Sequence, residues 1–272
     1  MSIVLTRFQK NITINRDFAE SLAVELQSSH FFEGTILLVA NEILLSPDYE
    51  FNYKDNNVVK FPGRYDLILV TDRFNSQGAK IDLTGPNGVA GRVGQPGCTA
   101  IEEFPCPPPL NNEGGPGETG MVGNRGFEGK NIKIYASKVE NIEVISNGGA
   151  GGRGGRGGHG GDGAKLPVGG FQFRGGDGGR GGIGGDGAGA GKITVLFFSK
   201  SAGLNIIDHL TSRGGDGGGP GEGGDGGQRF GSSGLQGERF GNNGTPSQPE
   251  VIGKSWKEFW KNTIVELGIP TG

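Results

Sequence analysis

The chain has 272 residues, of which 58 are glycine and 14 are proline, and its formal net charge is −3. This weakly acidic balance argues against general affinity for nucleic acid or for an anionic membrane surface. No apolar stretch approaches the ~20 residues of a membrane span, so no membrane insertion is expected. A high share of glycine and proline is typical of disorder when it is aperiodic, but the glycines of this chain are periodic.

Residues 1–84 predict an α/β base at the N-terminal end of the chain. A short strand starts at Ile3, and a helix begins at Asp17, because Asp17 and Glu20 fit a capping box and apolar residues follow on one face. Further strands are predicted at residues 11–15, 35–40 and 42–45. Residues 1–10 lack the features of a signal peptide. We therefore expect synthesis in the cytoplasm, with a virion surface or an intracellular assembly as the final site.

A pattern of strand, turn, strand and glycine run then occurs three times. The copies start at Asp66, Asn131 and Lys192, at spacings of 65 and 61 residues. A fixed period of this size marks a repeat protein. The two strands that precede the runs of each copy are predicted at residues 66–70 and 79–83, 131–135 and 141–145, and 192–198 and 204–207.

Each copy carries two glycine runs, separated by a loop that breaks the triplet phase. The runs, called run 1 to run 6 below, are residues 85–97, 114–129, 148–163, 175–191, 215–227 and 231–237. A period of three matches the polyproline-II type of helix, whose backbone groups must bond to neighbouring chains. The predicted fold class is therefore mainly β plus polyglycine-II helices. A β base would carry about six antiparallel polyglycine-II rods over residues 85–244, with short N- and C-terminal helices.

Glycine content separates the runs into peripheral and central ones. Runs 1 and 2 keep one glycine in each triplet, whereas runs 3 and 4 keep two in most triplets. A backbone without side chains on two faces can lie between close neighbours. We therefore expect runs 3 and 4 at the centre of the array and runs 1 and 2 at its periphery.

Residues 245–272 predict a linker and a C-terminal amphipathic helix. Ser255 and Glu258 fit a capping box at its start. Its apolar face comprises Trp256, Phe259, Trp260 and Ile264. The first interpretation is that this face seals the β base of its own chain, and the alternative is that it docks on a partner subunit.

Charged residues in the glycine triplets allow two interpretations. Arg-Gly-Gly sequences, as at Arg153 and Arg156, also occur in disordered RNA-binding segments. Acidic residues such as Asp162 and Asp225 occupy the same triplet position. Ladders of arginine and acidic side chains on neighbouring runs therefore explain the pattern better, and no nucleic-acid partner is expected. RNA binding by a disordered chain remains an alternative.

Catalytic and metal-binding patterns are not recognisable in the chain. Residues 157–164 and 181–188 formally match a calcium-binding β-roll repeat, but their spacing is not a multiple of nine. The three histidines are scattered, without a zinc or nucleophile motif. We expect no enzyme activity, no cofactor and no metal. Cys98 and Cys106 flank a proline-rich loop, and both a disulfide and free thiols remain open.

Glycine-triplet runs joined by non-triplet loops resemble the receptor-binding tip adhesins of T-even-like phage tail fibres. They also resemble the glycine-rich antifreeze proteins of snow fleas, although charged triplet positions argue against ice binding here. The adhesin resemblance implies that the loops at residues 98–113, 164–174 and 228–231 read a receptor. The candidate contact residues, of types common at binding hot spots, are Phe104, Leu110, Phe171, Phe173, Arg174, Arg229 and Phe230. Alternatively, the phenylalanines only plug the end of the bundle.

The sequence thus predicts a non-enzymatic recognition protein. Its loops would bind a protein or glycan surface, as in an adhesin. The competing prediction is a structural subunit of a larger bacterial or viral assembly, held through the base and the C-terminal helix.

Overall fold

The computed structural model describes residues 3–28, 34–47, 51–52, 65–100, 110, 112–165, 172–228, 232–238 and 240–254. Its elements, in chain order, are β1 (Ile3–Ile14), α1 (Arg16–Ser28), β2 (Gly34–Leu45), β3 (Phe51–Asn52), β4 (Tyr65–Asn75), β5 (Ile81–Asp82), β6 (Ile132–Asn141), β7 (Val144–Ile145), β8 (Ile193–Lys200), a short 3-10 helix (Ile206–His209), β9 (Leu210–Thr211) and β10 (Glu250–Gly253).

Two parallel sheets organise the chain. The larger sheet has the order β1-β2-β4-β6-β8-β10, and the smaller has the order β3-β5-β7-β9. Equivalent residues of successive copies lie side by side, since Leu67 pairs with Ile132 and Ile132 pairs with Ile193. Parallel neighbours require a long connection between them. In all three copies a pair of glycine runs lies in this connection. Each copy therefore forms one coil that stacks on the previous coil.

The fold-class prediction of a β base with six antiparallel polyglycine-II rods is wrong, because the strands form parallel sheets and runs 1, 3 and 5 are parallel to one another. The described chain is a mostly parallel β-sheet structure with one α-helix, an α/β-like arrangement. The two strands of one copy do not pair with each other, because β4 and β5 belong to different sheets. Each strand pairs with its equivalent in the next copy, because each pair of glycine runs brings the chain back beside the previous strand in the same direction. The predicted C-terminal helix lies outside the described residues.

Apolar side chains on one face of the larger sheet form the main core with α1 and the smaller sheet. Alternate residues of a strand point to opposite faces, so Ile36 and Leu38 join the main core, whereas Leu37 joins a second cluster on the other face. The helix α1 starts at Arg16, where the Asn15 side chain accepts a hydrogen bond from the Phe18 N–H, rather than at the predicted Asp17 capping box. Arg7 of β1 bonds Glu25 of this helix.

The glycine runs are joined to one another through their backbones. Every third N–H of run 1 donates to run 3, as Gly91 does to the Arg153 carbonyl, and run 3 donates in the same way to run 5. These neighbours are parallel. Returning runs 2, 4 and 6 are antiparallel to them, as when the Met121 N–H donates to the Arg92 carbonyl. The result is three layers: runs 1 and 2, runs 3 and 4, and runs 5 and 6, with run 6 continuing to Gly244.

Close approach of the layers explains why the glycines of the second layer are needed. A Cβ atom on Gly155 of run 3 would meet the Arg92 carbonyl oxygen, and one on Gly182 of run 4 would meet the Met121 carbonyl oxygen. At the equivalent positions of the first layer, side chains such as Val89 and Met121 are exposed. Runs 3 and 4 therefore lie inside the array and runs 1 and 2 lie at its edge, as their glycine content predicts.

Charged residues bridge three strands near the end of the larger sheet. Arg73 of β4 lies 2.8 Å from Glu42 of β2 and 2.6 Å from Glu140 of β6, and Lys138 lies 2.8 Å from Glu140. Hydrogen bonds from Arg73 and then from Lys138 lower the pKa of Glu140 from 4.5 to about 2.

Substitution Glu140→Gln is expected to reduce the acid sensitivity of folding. The folded-state pKa of Glu140 is lowered, so its ionised form stabilises the fold. This contribution to the free energy of unfolding is present above pH 4.5 and is lost as the pH falls toward 2. Urea unfolding at pH 7, 4.5 and 2.5 measures this effect. The stability difference between wild type and variant should shrink between pH 4.5 and 2.5, and a difference that stays constant would contradict the prediction.

Candidate functional site at the loop end of the runs

Backbone hydrogen bonds gather the stems of the three loops at one end of the runs. The Gly97 N–H donates to the His159 carbonyl, and the Gly161 N–H donates to the Gly115 carbonyl. The next bonds run from Gly176 N–H to Gly161 and from Gly227 N–H to Gly176. We call this surface the loop end; its described residues are 98–100, 110, 112–115, 161–165, 172–176 and 227–228.

A small apolar cluster closes the described part of the loop end. Ala100 and Ala164 are buried, and the partly buried side chains of Leu110 and Phe173 pack against them. The Phe173 N–H donates to the Ala164 carbonyl at 3.0 Å. Leu110 and Phe173, two of the predicted contact residues, therefore pack at the end of the array while part of their surface stays accessible.

Arg174 adjoins this cluster and is held by a carboxylate. Its guanidinium donates to Asp177 at 2.9 Å, and its carbonyl accepts from the Gly114 N–H. Asp177 also accepts hydrogen bonds from the hydroxyl and the N–H of Ser232 on run 6. The Ser232 bonds, followed by the charge of Arg174, lower the pKa of Asp177. The structure thus brings Leu110, Phe173 and Arg174 together.

The other predicted site residues lie outside the described part of the chain. At the loop end these are Phe104, Phe171, Arg229 and Phe230, and for partner docking they are Trp256, Phe259, Trp260 and Ile264. Cys98 is disulfide-bonded, and Cys106, the other cysteine of the chain, is outside the described residues.

Acidic residues in the triplets have a role that the sequence interpretation missed. Asp162 accepts a hydrogen bond from the Gln228 N–H at 2.6 Å, and Asp186 accepts one from the Asn242 N–H at 2.7 Å. Each carboxylate therefore holds a backbone N–H of a neighbouring run.

The predicted ladders of arginine and acidic side chains are confirmed. Arg153 pairs with Glu222 at 2.7 Å, Arg156 with Asp225 at 2.8 Å and Arg180 with Glu238 at 2.8 Å. All three pairs connect adjacent layers. Because these pairs are exposed, each contributes at most about 1 kcal/mol to the free energy of unfolding. The positive charge of the three arginines is matched locally by their acidic partners.

A shallow groove of about 440 Å³ lies on the outer face of the larger sheet. It crosses β1, β2 and β4, where Phe8, Val39 and Val70 provide its apolar surface and Lys10 and Asp72 its charges. Phe8 is 70% exposed. The groove is not recognisable in the sequence, because its lining comes from strands that become neighbours only in the folded chain.

Within the described residues, no group of three or more histidine, cysteine or acidic side chains could hold a metal ion. No helix among those residues is long and apolar enough to cross a membrane.

Comparisons with known proteins show no family for this chain. No protein-family model matches it, and no curated protein does. A solved structure with some similarity is the springtail antifreeze protein from Granisotoma rainieri, described as a nine polyproline type II helical bundle. It is 24% identical, the match covers 58% of this chain and 94% of that chain, and the TM-score is 0.13. The resemblance to phage tip adhesins stays a prediction.

Proposed function

We propose that this protein is a non-enzymatic recognition protein that binds a protein or glycan surface through its loop end. The observation that carries the proposal is the hydrogen-bonded gathering of all three loop stems at one end. Ordered stems would reduce the entropy that the loops lose on binding. Phe173 and Arg174 bring an aromatic ring and a guanidinium to the same surface, and such groups are frequent at binding hot spots.

Loop variants test this proposal. The labelled protein is applied to a printed glycan array and to bacterial outer-membrane fractions. The triple variant Phe171→Ser, Arg229→Ala, Phe230→Ser is then compared with wild type. We expect at least a tenfold loss of binding with unchanged thermal unfolding, because the substitutions remove contact groups at the loops. Unchanged binding by the folded variant would contradict the proposal.

A structural subunit of a larger bacterial or viral assembly is the second candidate, favoured by the groove beside Phe8. An exposed aromatic side chain next to an apolar groove is typical of a protein contact surface. Phe8→Ser is therefore the matched variant in the same binding assay. Loss of binding by Phe8→Ser, with retention by the loop variant, would favour this candidate over the loop end.

A further inference from the structure

Apolar side chains form a row across the outer face of the larger sheet. The row contains one residue from each strand, each paired with the next: Phe8, Val39, Val70, Tyr135, Leu196 and Ile252. Leu37 and Ile68, which pair with each other, lie two residues earlier on their strands and therefore on the same face. We call these residues together the outer strip.

The middle of the outer strip is buried, although no described element lies over it. Tyr135 is 0% exposed, Ile68 1% and Val70 3%. Side chains on one face of a sheet touch their neighbours laterally, but their ends point away from the sheet. Every described member of this second apolar cluster belongs to the larger sheet, whereas α1 and the smaller sheet pack with the main core on the opposite face. The strip therefore needs a cover from outside the described residues.

The exposed neighbours of the strip indicate the size of this cover. Phe8, at the β1 end, is 70% exposed, and Phe198, two residues beyond Leu196 on β8, is 50% exposed. Along the strands, the buried band joins positions two residues apart, such as Leu37 and Val39, which is about 7 Å; across them, it extends about 19 Å from β2 to β10. An α-helix is about 10 Å in diameter. One helix lying across the strands therefore has the dimensions of this band.

We propose that residues 255–272 cover the outer strip, with the apolar face of the predicted C-terminal helix packed against it. The strand β10 ends at Gly253, one residue after Ile252 of the strip, so the segment starts at the edge of the surface that it covers. Its helical pattern extends from Ser255 to Leu267 and stops at Gly268. At 1.5 Å per residue, this helix is about 20 Å long. That length matches the distance of about 19 Å from β10 to β2.

The segment also has the side chains that such a cover requires. Its apolar residues recur at spacings of three and four, so a helix places them on one face. Three of them are aromatic, and an aromatic side chain buries roughly 150–250 Å². Polar residues fall on the opposite side of the same helix, namely Glu258, Lys261 and Asn262. The helix can therefore bury one face on the strip and present the other to water.

The other segments outside the described residues are less suited to this position. Residues 101–109, 166–171 and 229–231 are connected to the far ends of the glycine runs, roughly 40 Å from the sheets at about 3.1 Å per residue. Residues 53–64 connect the smaller sheet to the start of β4, a step that the glycine runs make in the later coils. Residues 29–33 only link α1 to β2.

Bimane fluorescence tests the location of the segment, because tryptophan quenches this dye at contact distance. The dye is attached at Phe198→Cys, beside the strip, or at Val24→Cys, an exposed position of α1. Each labelled protein is compared with a version that also carries Trp256→Phe and Trp260→Phe, which removes both tryptophans of the chain. We expect tryptophan to reduce the emission at least twofold at position 198 and to leave it unchanged at position 24. Equal emission at position 198 with and without tryptophan, or quenching that disappears on dilution, would overturn the proposal.

Nitration of tyrosine by tetranitromethane tests the cover itself. Tyr135 lies in the strip, whereas Tyr65, which is 3% exposed, lies in the main core. Deletion of residues 255–272 should increase nitration of Tyr135 at least fivefold and leave Tyr65 protected. The double variant Trp256→Ser, Trp260→Ser keeps the chain length and should show the same selectivity to a smaller extent. Continued protection of Tyr135 in both variants, or equal nitration of the two tyrosines in both, would contradict the proposal.

Discussion

Replacement of Gly155 by alanine is expected to unfold the array of glycine runs. Gly155 lies in run 3, and an added Cβ would meet the backbone carbonyl of Arg92 far inside van der Waals contact. A backbone carbonyl that is itself hydrogen-bonded, as this one is to the Met121 N–H, cannot move aside without breaking that bond. We expect a loss of at least about 3 kcal/mol in the free energy of unfolding, at the upper end of overpacking effects.

Gly219→Ala provides the matched control for Gly155→Ala. The nearest atom to a Cβ on Gly219 is a ring carbon of Phe240 at 3.7 Å, which is ordinary contact. Alanine also restricts the unfolded chain more than glycine does, which stabilises a protein by about 0.4–1 kcal/mol where the backbone tolerates it. Urea unfolding of both variants measures the contrast. Similar stability of the two would mean that the layers are not packed as closely as the structure has them.

Removal of one whole coil, residues 132–192, is expected to leave a folded protein. The deletion joins Asn131 to Ile193, and Ile193 is the residue that pairs with Ile132 in the adjacent coil. The strand β8 can then take the place of β6 beside β4, and the third layer of runs can take the place of the second. In proteins built from stacked repeats, stability is approximately a sum over repeats and their interfaces. The shortened protein should melt cooperatively, at a lower temperature.

The shorter deletion of residues 148–191 is expected to be more harmful than the longer one. It removes runs 3 and 4 but keeps the strands of their coil, so the first and third layers are left separated. Donors of run 1 such as the Gly91 N–H then lose their acceptors, and unpaired buried backbone groups are costly. Circular dichroism and thermal melting of both deletions measure the difference. A folded short deletion with an unfolded long deletion would refute the stacking of coils.

The triplet spacing of glycine and the repeat of its context were visible in the sequence because both are local patterns. Glycine at two positions of most triplets in run 3 indicates close neighbouring runs, since only glycine allows two backbones to approach without a Cβ between them. Arginine and acidic residues at the remaining position likewise predicted the ladders that Arg153 and Arg156 form. The helix over Arg16–Ser28 was also predicted, apart from its N-cap at Asn15.

The direction of each element could not be obtained in the same way. Apolar alternation in β4 and β5 is compatible with a hairpin and with two separate parallel sheets. The order strand, turn, strand suggests neighbours within one copy, whereas the chain pairs each strand with its equivalent one coil away. The groove at Phe8 depends on that choice, because it is lined by residues of the three neighbouring strands β1, β2 and β4.

By itself, the sequence determined where glycine is required, how long each coil is and which charged side chains accompany the runs. Those properties depend on the size and charge of individual residues and on their spacing. Only the tertiary structure decided that the coils stack in parallel and that Leu110 and Phe173 pack together at the loop end. Those outcomes arise from contacts between residues one coil or more apart, and a local pattern carries no information about them.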